Sequence, residues 1–253
     1  MSAPRRPRRR APQRKPRVEP DPSAPLALAL DTSGATEALA LVQGDLLLAD
    51  QRVRRPRRRG TALGVAIRDL LASVSRTPAD LSAITVGLGP GAFTGLRVGI
   101  ATAHGLAGAL GVPLFGFDST HGLACAAFAT DRPTVVILDA RRDEVYAATY
   151  AGAADGTLPT VVSPTRLLSP AALAEELVDL PPSLLVGDGA RLYASQLLAQ
   201  APHHLLGRLQ PGGPALGPLA ADALRRAAGG ERPSLARVQP TYLRDHDAAK
   251  PKS

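Results

Sequence analysis

One pattern occurs twice in this chain, and it constrains the fold more than any other feature. Residues 26–30 read Leu-Ala-Leu-Ala-Leu and end in Asp31-Thr32-Ser33-Gly34, followed by a second apolar run over 37–42. About a hundred residues later, 134–138 end in Asp139-Ala140-Arg141-Arg142, and an alternating segment follows over 144–150. With Asp31 set on Asp139, both halves read strand, Asp, tight turn, strand. A repeat this long duplicates a whole α/β unit and is not the short period of a solenoid.

Short apolar runs separated by turn residues predict three strands in a meander over 26–30, 37–42 and 46–49. Residues 52–60 read as a loop with six arginines. Leu63, Ile67, Leu70, Leu71 and Val74 recur at helical spacing, which predicts an amphipathic helix over 61–75. Thr77-Pro78-Ala79-Asp80 opens a single helical turn, with Pro in the first helical position. A buried strand is expected over 84–88, a Gly-rich loop over 89–94, a helix over 95–110, a strand over 112–117 and a helix over 119–128. In the second half helices are expected over 170–178, 191–200 and 216–228, with a strand over 184–186.

The net charge of +8 is unevenly spread. Residues 1–25 hold eight basic and two acidic residues, a net of +6, which leaves about +2 for everything else. This Pro/Arg-rich stretch has almost nothing to bury and reads as a disordered tail. Its prolines (Pro4, Pro7, Pro12, Pro16) oppose an amphipathic transit helix, and no apolar segment follows at signal-peptide spacing, so the compartment reads as cytoplasmic. With no Trp and four each of Tyr and Phe, broad base-stacking surfaces are disfavoured. The single cysteine, Cys125, lies in an Ala-rich stretch and reads as a small buried apolar residue.

Two segments could meet an anion. The turn Asp31-Thr32-Ser33-Gly34 can offer successive N–H groups as a nest. The loop Gly89-Pro90-Gly91-Ala92-Phe93-Thr94-Gly95-Leu96-Arg97 runs from a strand to a helix N-terminus, where anions are stabilised. It lacks the Lys-Ser/Thr pair of a Walker loop, and a rigid turn seating the next helix explains it equally well. On these grounds Asp31, Thr32, Ser33, Gly89 and Gly91 are the candidate nucleotide contacts. Gly99, Ala101, Ala103, Gly105, Ala107 and Gly108 make the following helix small-surfaced, which suits close packing against the chain's own sheet or a partner. Leu63, Ile67, Leu96, Gly99 and Ala103 are the candidate partner-facing residues. The histidines form no metal-ligand spacing, and no G-x-S-x-G elbow is present, so no catalytic or metal residue is assigned. The cluster Asp139, Arg141, Arg142, Asp143 and Glu144 reads as a strand-end site or as a solvated hairpin.

Two halves that each open on strand, Asp-turn and strand match the organisation of actin-like and sugar-kinase-like proteins. Leu30-Asp31-Thr32-Ser33, the segment from Gly89 to Arg97, Gly105-Leu106-Ala107, Leu138-Asp139-Ala140-Arg141-Arg142 with Glu144-Val145-Tyr146, and Pro240-Thr241-Tyr242-Leu243-Arg244 together resemble the TsaB family. That resemblance implies an α/β, actin-like (ASKHA) fold of duplicated ribonuclease-H-like domains. The expected organisation is a tail over 1–25, an N-terminal subdomain over 26–117 that binds TsaD, a C-terminal subdomain over 118–229 and a tail over 230–253. It further implies a cytoplasmic, non-catalytic subunit that supports TsaD, with TsaE and tRNA joining the complex. ATP or ADP at the TsaD interface and homodimerisation in the partner's absence are further expectations. The family commonly opens its first long helix with a His; here Arg59-Gly60-Thr61 stands there, so that contact is altered. The competing reading is a stand-alone ATPase or small-molecule kinase of the same fold, with Gly187-Asp188-Gly189 as its adenosine loop.

Overall fold

The computed structural model describes residues 21–54, 63–127, 132–152, 158–207 and 213–244. Tail residues 1–20, most of the arginine loop, the start of the first helix and the chain beyond Arg244 lie outside them. The first sheet comprises β1 (Leu26–Asp31), β2 (Thr36–Gln43), β3 (Leu46–Arg54), β4 (Leu81–Gly87) and β5 (Leu114–Phe117), in the order β3-β2-β1-β4-β5. The second comprises β6 (Thr134–Arg141), β7 (Glu144–Ala151), β8 (Thr160–Leu168), β9 (Leu184–Val186) and β10 (Leu205–Leu206), in the order β10-β9-β6-β7-β8. Each sheet is an antiparallel meander joined to parallel strands, with the same order in both. The repeat seen in the sequence is therefore a repeat of whole sheets.

Side-chain size decides what each face of the first sheet can accept. Side chains alternate between the two faces of a strand. In β1 and β2 the leucines (Leu28, Leu30, Leu39, Leu41) face one side, where α1 (Leu63–Ser73) and α2 (Phe93–Leu110) pack on them through Leu71, Ile67 and Ala103. Ala27, Ala29, Ala38 and Ala40 face the other. Those small residues let a helix approach closely, and α7 (Gly217–Ala228) fills the space with Leu219, Ala220, Ala223 and Leu224.

That contact crosses the division at residue 118. Helix α7 comes last in the second half yet packs on the first sheet, whereas α3 (Ser119–Ala127) packs on β6 and β9 of the second. The last helix of the second half thus completes the core of the first sheet. Asp118 fixes α3 there: its Oδ1 accepts from Thr120 N–H at 2.9 Å, and its Oδ2 accepts from the Thr165 hydroxyl at 2.6 Å. The outer face of the second sheet carries α4 (Pro170–Val178), α5 (Asp188–Leu192) and α6 (Ala194–Gln200).

Several sequence expectations change in detail. Residues 21–25 are ordered, because the Gln43 amide donates to the carbonyls of Pro22 (3.2 Å) and Ala24 (2.9 Å). Strand β3 runs on to Arg54, into the segment expected as a loop. The helix expected over 191–200 is broken at Tyr193 into α5 and α6. Strands β8 and β10 had no expectation at all: β8 is an edge strand with Pro164 inside it, a place where proline is tolerated and the apolar alternation is lost.

Candidate functional site

The two Asp turns face each other across a cleft of about 1510 Å³ between the sheets. Asp31 ends β1, and its Oδ1 accepts from Ser33 N–H at 2.7 Å. Asp139 lies near the end of β6, and its Oδ1 accepts from Arg141 N–H at 2.8 Å. The duplication thus extends to one hydrogen bond in each turn. The surroundings of the two acids then diverge. Asp139 Oδ2 pairs with the Arg141 guanidinium at 2.8 Å. Asp31 is only 1 % exposed, and its Oδ2 has no hydrogen-bond partner among the described residues.

Burial accordingly holds the Asp31 carboxyl above the usual carboxylate range, and the nearby Asp118 charge adds to this; hydrogen bonding from Ser33 and the proximity of the Ser119 hydroxyl offset only part. A raised carboxyl pKa favours the folded state while the group is protonated, and that contribution is lost as pH rises through the folded value. Asp31→Asn is therefore expected to raise stability at neutral pH and to flatten the decline between acid and neutral pH. Urea midpoints measured across that range for both proteins check this; a variant less stable at neutral pH than the parent would contradict it.

The Gly-rich loop is stitched to the first turn. Ala92 N–H donates to Ser33 O at 2.7 Å, Gly89 N–H to the Ser119 hydroxyl at 3.1 Å, and the Thr32 hydroxyl to Gly95 O at 2.8 Å. The Gly89–Pro90 peptide is cis, and Gly89 has φ of 107°. A Cβ on Gly91 would overlap the Ser33 carbonyl, which is why glycine stands there. Of the five candidate nucleotide contacts, Asp31, Ser33 and Gly91 line the cleft, while the Thr32 side chain turns inward to Gly95 and Gly89 faces Ser119 and Thr241. The N–H groups of Ser33, Gly89 and Ala92 are all engaged by the protein itself.

The five candidate partner residues are corrected by their burial. Leu63, Ile67, Leu96, Gly99 and Ala103 all point into the chain's own core, because the apolar stripe of α1 and the small residues of α2 are what close on the first sheet. The outward face of α2 is a different set: Thr94, Val98, Ala101, Gly105 and Gly108.

Gly187-Asp188-Gly189 lies at the far wall. Asp188 Oδ1 accepts from Asp139 N–H (3.1 Å) and Gly189 N–H (2.9 Å), so this loop braces the second Asp turn. Each of the four histidines in the described residues bonds a backbone carbonyl: His104 to Val238, His121 to Pro159, His203 to Leu180 and His204 to Leu177. Cys125 is buried, which pushes its thiol up to about 12. Sequence reasoning placed Arg244 in a resembling segment but assigned it no site role; it reaches the Asp139 hairpin from a hundred residues away, a contact that no local pattern marks.

Two duplicated sheets of this order, closing on a cleft floored by paired Asp turns, place the chain in the actin-like class. The model of the family described as "TsaD: tRNA N6-adenosine threonylcarbamoyltransferase" matches residues 57–251. Tuberculosis bacilli (Mycobacterium tuberculosis) hold an uncharacterised protein 37 % identical over 161 residues, 63 % of this chain and 70 % of that one. The tRNA threonylcarbamoyladenosine biosynthesis protein TsaB of Bacillus subtilis is 35 % identical over 123 residues, 49 % of this chain and 54 % of that protein. The structure of YeaZ from Pseudomonas aeruginosa superposes with a TM-score of 0.70 at 28 % identity, covering 87 % of this chain and all of that one. The chain belongs to the TsaB family.

Proposed function

We propose that this protein acts in threonylcarbamoyladenosine synthesis on tRNA as a non-catalytic subunit that supports TsaD, with TsaE recruited to the pair. The observation that carries the reading is the internal use of the cleft's polar groups. In an ATPase or kinase of this architecture, free N–H groups in the Asp turns would hold phosphate. Here the Ser33 N–H of the first Asp turn and the Gly89 and Ala92 N–H groups of the adjoining loop serve the protein, and the buried Asp31 Oδ2 has no hydrogen-bond donor beside it among the described residues. This disfavours the stand-alone kinase reading. ATP or ADP, if it takes part, would be held jointly with TsaD. The partner surface we assign is the outward face of α2, which is smooth enough for another helix to pack closely; Val98 is 46 % exposed on it, and the same face serves self-association when the partner is absent.

The test is threonylcarbamoyladenosine formation on unmodified tRNA with TsaD, TsaE and the adenylate-forming enzyme from the same organism. Product is expected only when this protein is added, with no ATP turnover by the protein alone. Equal product without it, together with ATP hydrolysis by the isolated chain, would replace this reading with the kinase.

A further inference from the structure

Residues 238–244 cross the first lobe and end on the second. Val238 is buried in the core under α1 and α2, and its carbonyl lies 2.8 Å from His104 Nε2. Thr241 N–H donates to Leu88 O at 2.8 Å, just beyond the end of β4. The Tyr242 ring packs on Phe93 at 5.6 Å between centroids, and its hydroxyl accepts from Arg97 Nε at 3.2 Å. Arg97 itself lies over the Phe93 ring at 3.8 Å. Two residues further on, the Arg244 guanidinium bonds the Glu144 carboxylate and the Arg141 carbonyl of the second lobe, at the rim of the cleft.

We infer that this segment is a strap that sets how far apart the two lobes stand, with Arg244 as its clasp. The inference rests on where the anchors fall and not on the tRNA reading. Val238, Thr241 and Tyr242 fix the strap to one lobe at three points, so Arg244 has little slack and its bonds to Glu144 and Arg141 fix the other lobe. The turn it grips is an unusual one: Arg141, Arg142 and Asp143 are three consecutive non-glycine residues with φ between 56° and 65°. Such a turn needs outside support to hold its shape. The clasp is an ion pair with side chains 30 % and 36 % exposed, which is a weak interaction, so it biases the lobes rather than locking them. Further connections between the lobes are α7, which packs on the first sheet, and Asp118, which accepts from the Thr165 hydroxyl of the second.

The experiment is a distance measurement between spin labels on the full chain, with cysteines placed at Ala72 on α1 and Glu175 on α4. Both positions are exposed, and buried Cys125 does not compete for label. Three variants are compared: Arg244→Ala and Glu144→Gln, which remove the clasp from either end, and Arg142→Ala, which changes the same turn and leaves the clasp in place. The parent and Arg142→Ala should give one narrow distance. Arg244→Ala and Glu144→Gln should each gain a second, longer-distance population at its expense, with far-ultraviolet circular dichroism unchanged. A narrow distribution in all four proteins, or an equal broadening in all three variants, overturns the strap.

Discussion

Gly187→Ala is expected to destabilise the protein by about 3 kcal/mol or more, lowering its melting temperature by about 10 °C. Two effects add at this position. Its φ of 114° with ψ of 174° belongs to a region that side chains other than glycine scarcely enter. A Cβ there would also overlap the Ile137 carbonyl, which is backbone in the central strand of the second sheet and cannot move aside. Gly111→Ala separates the two effects. Gly111 ends α2 with φ of 67°, and nothing lies within 4 Å of a Cβ built on it, so its cost should be only about 1 kcal/mol. Urea denaturation of both variants checks this; equal losses would mean that backbone conformation alone, and not the Ile137 contact, explains the glycine. Because Gly187 sits beside the Asp139 turn, its variant should also loosen the cleft wall.

On the proposed function, Ala101→Arg should abolish association with TsaD while leaving the fold intact. Ala101 is exposed at the middle of the outward face of α2, so a long charged side chain there meets only solvent in the isolated protein. Against a closely packed partner helix it would be buried without a counter-charge, at a cost that weakens association by about a hundredfold or more. The readouts are the midpoint of thermal unfolding, expected within a degree or two of the parent's by surface-substitution behaviour, and binding to TsaD by calorimetry. Undiminished binding would move the interface elsewhere. Ala103→Arg, two residues on, should instead unfold the protein, since Ala103 is fully buried against the first sheet. The pair of variants therefore tests both sides of one helix.

That contrast shows why the candidate interface had to be corrected. In α2, glycine and alanine occur on both the inward and the outward face, so composition marks the helix as closely packed without saying by what. The sheet takes Gly95, Gly99, Ala103 and Ala107; Ala101, Gly105 and Gly108 remain outside. For the Asp turns the sequence was a better guide. An Asp ending an apolar run and followed by small or turn-forming residues is a local pattern, and its hydrogen bond spans two residues, so both copies could be found by eye. Whether such a turn is open to an anion depends on Gly89, Ala92 and Ser119, which come from elsewhere in the chain.

The sequence by itself determined the duplicated α/β plan, the strands carrying the Asp turns and most helices, because alternation, helical spacing and turn chemistry are short-range properties. Only the tertiary structure decided that α7 packs on the first sheet, that Asp31 is buried without a full set of partners and that Arg244 closes on Glu144. Each of these joins residues far apart in the chain, whose pairing is set by the packing of whole sheets and helices; no local run of residues encodes it.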